Sequence, residues 1–175
     1  MGSRPGRTAA LAPWFFSTNP DYLARVKANH RADTNTLGVV ANQAALDEGA
    51  RWFDALLSYI DANRDYVEAY LREKLPAVKY TKAQGTFLAW LDIREVMDQI
   101  GATEEAAREA SKTSPTMVTP EVLAEEWFIR HAKVQLNPGS EYGTGGAGHL
   151  RMNLATTRRN IEWAIDSITN ALKNV

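Results

Sequence analysis

One arginine of this sequence stands in an unusual setting for a charged residue. Arg151 lies in the apolar run 149–155, between Leu150 and Met152, directly after a glycine-rich segment at 143–148. The run predicts a β-strand, so the guanidinium must find an anion close to a sheet. Its planar fork suits a carboxylate held by two parallel hydrogen bonds. A substrate carboxylate and a structural ion pair are both open as partners of Arg151 at this point.

The glycine-rich segment does not have the order of a nucleotide-binding loop. Loops that bind phosphate usually run from a strand into a helix, so that backbone N–H groups and the helix N-terminus face the anion. Here the glycines precede a predicted strand, and no Gly-Lys-Ser/Thr follows them. The sequence therefore predicts no nucleotide site at this loop.

Composition limits the possible classes of protein. The chain has 175 residues, 45% of them hydrophobic and 23% charged, which suffices for one packed domain or a small domain with an appendage. The formal net charge of -1 gives no reason to expect nucleic acid or a membrane as partner. There is no cysteine, and the histidines at 30, 131 and 149 lack ligand spacing, so we predict no metal site. We expect a cytoplasmic protein.

A long helix is the clearest element of the first half. Apolar residues recur at three- and four-residue spacings from Trp52 to Leu71, which predicts a helix over 50–75, ended by Pro76. Such a helix would be about 35 Å long and could link two lobes or pack on one core. The elements predicted before it are a buried strand over 14–17 and helices over 21–29 and 37–47.

The second half alternates strands and helices. Strands are predicted over 78–81, 85–92, 133–139 and 149–155, and helices over 93–100, 119–131 and from 156 or 157 onward. The run 85–92 is continuously apolar, which predicts a strand covered on both faces. The segment 101–118 has little apolar content, and we expect a mobile insertion there. This order predicts an α/β, α+β-like sandwich with a three- or four-stranded sheet covered by helices.

Five segments, taken in order, resemble the last third of the fold-type I pyridoxal-phosphate enzymes. The likeness is to aminotransferase class I/II, in the branch of the cystathionine β-lyase-like C–S lyases. It is carried by residues 44–56, 59–65, 84–94, 134–139 and 142–155. Each segment is weak alone, and the order of all five makes the resemblance specific for the family.

The resemblance implies a division of the chain into domains. Residues 1–18 would be a remnant of the end of the large domain, and 19–49 helices derived from that domain. Residues 50–75 would be the interdomain helix, and 76–175 the C-terminal small domain.

The same resemblance assigns residues and a cofactor. It implies that Arg151 binds the α-carboxylate of an amino-acid substrate. Asn35 and Thr36 fall on a segment that lies near the cofactor phosphate of the neighbouring subunit in such enzymes, which implies a dimer; a helix cap is the alternative for these two residues. Pyridoxal 5′-phosphate is the cofactor that the resemblance implies for the full-length family.

One departure from the family concerns the lysine that forms a Schiff base with the cofactor. In similar enzymes it lies in a Ser-Lys-x-x-Asn-x-x-Gly-Leu run, and the corresponding position here is Arg4. A guanidinium stays protonated and forms no Schiff base. We therefore assign no catalytic residue, and we expect the chain alone to bind no cofactor and to be inactive, as a truncation, a product of a disrupted reading frame or an expressed fragment would be.

Two further interpretations of function remain open. The first is a fragment of a pyridoxal-phosphate-dependent aminotransferase, because the residues that distinguish transamination from β-elimination lie largely in the large domain. The second is a non-catalytic small domain that self-associates through apolar surface on the long helix and the predicted strand at 14–16.

Overall fold

The computed structural model describes residues 17–29, 36–112 and 118–175. The chain forms two compact units, Met1–Leu56 and Leu57–Val175, and the boundary between them falls within the long helix. The predictions made for Arg4, for the strand at 14–16 and for Asn35 lie outside the described residues. The division into domains that the resemblance implies stays a prediction.

The first unit contains α1 (Pro20–Asn29), α2 (Thr36–Glu48) and the start of α3 (Ala50–Lys74). Asn19 begins α1 as an N-cap, since its side-chain oxygen accepts a hydrogen bond from the Asp21 N–H at 2.9 Å. Gly49 joins α2 to α3. A Cβ at that position would lie 2.2 Å from the carbonyl oxygen of Ala45, so only glycine allows this close approach.

The second unit is built on a four-stranded antiparallel sheet, which confirms the predicted strand number. Its strands are β1 (Lys79–Tyr80), β2 (Leu88–Asp92), β3 (Asn137–Pro138) and β4 (His149–Asn153), in the spatial order β1-β2-β4-β3. In the central pair, Leu88 lies opposite Asn153 and Trp90 opposite Arg151. Strands β2 and β4 therefore place their side chains in matched rows.

Only one face of this sheet is deeply buried. Ala89 and Leu91 of β2 point into the core with Leu150 and Met152 of β4, whereas the alternate residues of β2 are half-buried. The prediction that both faces of the second strand are covered is wrong. Its continuous apolar run belongs to an antiparallel strand, and residues such as Trp90 lie on the open face.

The helices of the second unit complete the core. They are the second half of α3, α4 (Arg94–Gln99), α5 (Ala102–Ala110), α6 (Pro120–His131) and α7 (Arg158–Leu172). On α7 the buried residues include Ile161, Ile165, Ile168 and Leu172, as the spacing predicts. None of the helices in the described ranges combines the length and apolar content that a membrane span requires.

Helix α5 occupies the first half of the segment that we predicted as a mobile insertion. Gly101 precedes it in the left-handed conformation, with φ +73°, and Ala102 and Ala106 are buried. The prediction missed this helix because its buried side consists of alanines, which add little to the apolar content of the sequence. Residues 113–117 of the segment lie outside the described residues.

Candidate carboxylate-binding site

Strand β4 places Arg151 on the open face of the sheet. Side chains alternate along a strand, so Leu150 and Met152 enter the core and Arg151 stands on the opposite side, half-buried. The register puts Arg151 opposite Trp90 on one neighbouring strand and opposite Asn137 on the other. The arginine is therefore central in the sheet, in a row with an aromatic and an amide side chain.

One aromatic ring lies against the guanidinium of Arg151, and two more rings pack beside it. Its central carbon lies 4.4 Å from the centroid of the Tyr142 ring, which is cation–π distance. The Trp90 ring meets Tyr142 edge to face at 5.9 Å between centroids and stacks on the His149 ring at 5.7 Å. We call Trp90, Tyr142, His149 and Arg151 the arginine cluster. A ring on one face of the guanidinium leaves the N–H groups along its edge free for an anion.

No acidic side chain among the described residues forms an ion pair with Arg151. Asp92, which belongs to the same open face, is bonded to Arg94 through the Arg94 Nε at 2.9 Å. The Arg94 guanidinium holds the pKa of Asp92 below its ordinary value. The carboxylate of the same sheet face is thus committed to another arginine, which favours an external anion for Arg151 over a structural ion pair.

The glycines before β4 are explained by backbone geometry. A Cβ at Gly146 would lie 1.9 Å from the carbonyl oxygen of Gly139, so two backbone segments approach too closely there for any side chain. Gly143, Gly145 and Gly148 have φ of +88°, +87° and +79°, a region that glycine adopts without strain. The glycines shape a tight loop that delivers the chain from Tyr142 to β4.

A buried carboxylate holds this loop in place. Glu121, in the first turn of α6, is 3% exposed and accepts a hydrogen bond from the Gly148 N–H. Burial raises the pKa of Glu121, but hydrogen bonds from the Gly148 N–H and from the hydroxyl groups of Thr119 and Ser140 outweigh it, so the pKa lies below its ordinary value. The sequence did not predict that Glu121 holds the loop, since an acidic residue in the first turn of a helix is ordinarily a solvated one.

Asn63 fixes the other end of β4. It is fully buried, and its amide donates hydrogen bonds to the carbonyl oxygens of Leu154 at 3.0 Å and Thr156 at 3.2 Å. Its side-chain oxygen accepts from the Arg158 guanidinium at 3.3 Å. Asn63 therefore connects α3 to the chain that leaves β4. The sequence contained no local signal for this role, because a polar residue on a long helix is usually exposed.

The remaining predicted site residues lie in the first unit or outside the described residues. Thr36 is the first residue of α2 in the first unit and is exposed, and Asn35 lies outside the described residues. A role for either residue at a cofactor phosphate stays a prediction. Within the described ranges, no group of three or more histidine and acidic residues could hold a metal ion.

None of the lysines of the second unit forms a hydrogen bond or an ion pair with the arginine cluster in the described structure. Lys74, Lys79, Lys82 and Lys112 pair with acidic side chains, while Lys133 and Lys173 donate to Arg130 and Asn170. The seventh lysine, Lys27, lies exposed on α1 in the first unit. The arginine cluster itself contains no lysine, the residue type that would form a Schiff base with the aldehyde of pyridoxal phosphate.

Comparison with known proteins reveals clear relatives. No protein-family profile matches the chain. It is 38% identical over 150 residues to the "Putative cystathionine beta-lyase" of Mycobacterium tuberculosis and 30% identical over 159 residues to the cystathionine beta-lyase PatB of Bacillus subtilis. These alignments cover 86% and 87% of this chain and, in both cases, 36% of the relative. The chain thus spans about a third of the length of these relatives.

Solved structures with a similar fold are also pyridoxal-phosphate enzymes, and the chain again covers about a third of each. The pyridoxal-phosphate-bound C–S lyase of Staphylococcus hominis superposes with a TM-score of 0.67 and 26% identity, over 88% of this chain and 36% of that one. Cystalysin of Treponema denticola, which contains pyridoxal 5′-phosphate, superposes with a TM-score of 0.71 and 25% identity, over 90% and 36%.

The fold and the similar proteins are those of fold-type I pyridoxal-phosphate enzymes, which confirms the resemblance found in the sequence. Within that class, proteins similar to the chain in this comparison are named cystathionine β-lyase or C–S lyase, and the chain is similar to about a third of each. Its share of their length is consistent with a C-terminal portion.

Proposed function

We propose that this chain supplies the substrate-carboxylate site of a pyridoxal-phosphate-dependent C–S lyase, in which Arg151 binds the α-carboxylate of an amino acid such as cystathionine. One observation carries the proposal. The Arg151 guanidinium is held over the Tyr142 ring, half-buried, and it has no acidic partner among the residues that the structure describes.

The chemistry of the site agrees with a carboxylate ligand. The fork of an arginine can donate two parallel hydrogen bonds to one carboxylate, which fixes the orientation of the ligand as well as its position. Partial burial strengthens the attraction because less water screens the charges. Pyridoxal phosphate, when bound to an enzyme, supplies an electron sink for carbanion chemistry. We assign none of that chemistry to residues of the arginine cluster, which contains no lysine.

Transamination is a second possible activity for the whole enzyme. The pyridoxal-phosphate-bound putative aminotransferase of Clostridium difficile superposes with a TM-score of 0.65 and 28% identity. Arg151 would bind the same carboxylate in either reaction. We favour the lyase because relatives with 30% to 38% identity carry the cystathionine β-lyase name.

Self-association is also proposed, on a different observation. The first unit exposes large apolar side chains, among them Trp52 (68% exposed), Leu46 (65%) and Phe53 (52%). Exposed apolar patches of this kind usually mark an interface. We expect a dimer, in the cytoplasm, whose mass by light scattering falls on dilution. Trp52→Ser should weaken the dimer, and a monomer at all concentrations would contradict this part of the proposal.

Ligand binding by Arg151 can be tested with the chain itself. We would titrate ¹⁵N-labelled protein with L-alanine and follow the backbone amide signals of β4 by NMR in every variant, together with the Arg151 Nε–Hε signal where the arginine is present. L-Alaninamide is the matched ligand that lacks a carboxylate. Arg151→Lys keeps the charge but loses the fork, and we expect it to weaken binding about tenfold or more. Arg130→Lys is the control, because Arg130 is an exposed arginine that pairs with Glu126.

The proposal predicts saturable shifts with L-alanine, weaker ones in the Arg151 variant, and no difference in the Arg130 variant. Equal responses to L-alanine and L-alaninamide, or binding that survives the Arg151 substitution unchanged, would contradict it.

A further inference from the structure

We propose that Glu121 is the positioning residue of the arginine cluster: its buried carboxylate ties the Gly148 end of the glycine-rich loop to the start of α6, where the Thr119 hydroxyl meets that of Ser140, and thereby fixes the Tyr142 ring beneath the Arg151 guanidinium. The inference rests on the proposed function only for the identity of what Arg151 binds. The positioning itself depends on contacts within this chain.

The Glu121 carboxylate is a buried charge that has no cationic partner in the described structure. It is 3% exposed, yet no lysine, arginine or histidine of the described residues forms an ion pair with it. A buried charge without a cation is costly unless hydrogen-bond donors surround it. The Gly148 N–H donates to the carboxylate, and hydrogen bonding by the hydroxyl groups of Thr119 and Ser140 further lowers the pKa of Glu121. The carboxylate therefore depends on the loop, and the loop on the carboxylate.

Gly148 and Ser140 lie at opposite ends of the glycine-rich loop. Gly148 ends the glycine-rich segment, whereas Ser140 belongs to the 3₁₀ turn Gly139–Tyr142 that precedes it. The Ser140 hydroxyl also lies 3.1 Å from that of Thr119, next to the start of α6. The start of α6 thus holds both ends of the loop, through the Glu121 carboxylate at Gly148 and the Thr119 hydroxyl at Ser140.

The two ends of the glycine-rich loop carry two aromatic rings of the arginine cluster. Tyr142 is the last residue of the 3₁₀ turn, two positions after Ser140, and His149 directly follows Gly148. These are the two rings of the cluster that do not come from β2, and the Trp90 ring contacts both of them. Moving the Ser140 end would move the Tyr142 ring on which the Arg151 guanidinium lies, and moving the Gly148 end would move the His149 ring, which is connected to Tyr142 through Trp90.

Glu121 can act in this way without competing for the ligand. Its hydrogen bonds are made to the loop and to hydroxyl groups, and it forms no ion pair with Arg151 in the described structure. The negative charge is therefore held away from the edge of the guanidinium that an incoming carboxylate would use.

The test compares Glu121→Ala, Glu121→Gln and the control Glu126→Gln in the same chain. Glu126 lies on the same helix, exposed and paired with Arg130, so its variant removes a charge without touching the loop. The first readout is the upfield ring-current shift of the Arg151 side-chain methylene protons, with their nuclear Overhauser contacts to the Tyr142 ring. The second readout is the L-alanine titration.

We expect Glu121→Ala to abolish the ring-current shift and to weaken L-alanine binding at least tenfold, while Glu126→Gln changes neither. Glu121→Gln keeps the shape and one acceptor oxygen and should give an intermediate result. If Glu121→Ala does not fold, Glu121→Gln decides the matter together with Ser140→Ala, which removes one donor alone. Folded Glu121 variants that retain the full shift and affinity would overturn the inference.

The two proposals fail in different ways. If the wild-type chain shows the ring-current shift but binds no L-alanine, the carboxylate function is wrong, and the shift still reports whether Glu121 positions Tyr142. If L-alanine binds through Arg151 and the Glu121 variants change nothing, only the positioning role is wrong.

Discussion

Two turns beside the central strand pair are each held by a buried charged side chain, but they are built differently. The glycine-rich loop before β4 is held by Glu121, and every residue with positive φ in it is glycine. The turn before β2 is held by Arg64, which is 8% exposed and donates hydrogen bonds to the Thr86 carbonyl oxygen and to Asp61. In that turn Thr86, a β-branched residue, has φ +62°.

The two turns differ in whether the buried charged group that holds them has hydrogen-bond partners for all of its polar atoms. The Glu121 carboxylate is surrounded by donors, whereas the buried Nε of Arg64 has no hydrogen-bond partner in the described part of the chain. A threonine in the left-handed region is strained, and such strain persists only where its surroundings hold it. The glycine-rich loop is therefore a relaxed support for the arginine cluster, and the Thr86 turn is a locally strained one.

The largest expected effect comes from adding a side chain where two backbone segments of the glycine-rich loop approach each other closely. Gly146→Ala would place a Cβ 1.9 Å from the Gly139 carbonyl oxygen, and we expect it to lower the free energy of unfolding by about 3 kcal/mol. Gly145→Ala is the matched control, because that position has positive φ but open space around it. Urea unfolding measures both variants. Equal losses would show that backbone conformation, and not the close approach, dominates.

Removing the charge that holds the strained turn should have the next largest effect. Arg64→Met leaves the Thr86 carbonyl oxygen without this donor, and we expect a loss of about 2 kcal/mol in urea unfolding. Arg72→Met is the control, since Arg72 is an exposed arginine of the same helix that pairs with Glu68. A loss as small as that of the control would mean that Arg64 does not hold the turn.

Relieving the strain at Thr86 should give a smaller effect of opposite sign. Asparagine tolerates the left-handed region, and its side-chain oxygen can replace the Thr86 hydroxyl, which accepts a hydrogen bond from the Leu88 N–H at 3.2 Å. We expect Thr86→Asn to raise the free energy of unfolding by about 1 kcal/mol. Thermal and urea unfolding would both report the gain. A destabilised variant would show that the turn is not strained.

The smallest expected effect is a gradual loss of the position of the glycine-rich loop as pH falls and Glu121 is protonated. The pKa of Glu121 lies below its ordinary value of 4.5, so its contribution to stability is full above that value and is lost as pH falls through the lowered pKa. The Arg151 ring-current shift should persist from pH 7 to the ordinary value and decline only at more acidic pH. In Glu121→Gln the part of this decline that belongs to Glu121 should disappear, and an identical profile would contradict the assignment.

The sequence predicted the parts of the molecule whose signal is local. The spacing of apolar residues predicted α3 and the buried side of α7, and the apolar run around Arg151 predicted β4. Helix α5 was missed, because alanines buried against neighbouring helices leave no apolar pattern.

The candidate site was predicted only in its central residue. Arg151 was identifiable as a charge within an apolar strand. Glu121, Asn63 and Arg64 are charged or polar residues on helices, and their burial arises from packing against loops distant in sequence. Nothing in their own segments distinguishes them from solvated residues, so only the fold reveals what they hold.

Our central proposal is that Arg151 binds a carboxylate and that none of the seven lysines of the chain reacts specifically with the cofactor. The most direct measurement is to mix the purified chain with pyridoxal phosphate, reduce with borohydride and locate pyridoxyl groups by mass spectrometry. We expect no adduct, or substoichiometric labelling scattered over lysines such as Lys27 and Lys173. A stoichiometric adduct on one lysine would contradict the claim and would show an enzyme with a relocated Schiff-base residue.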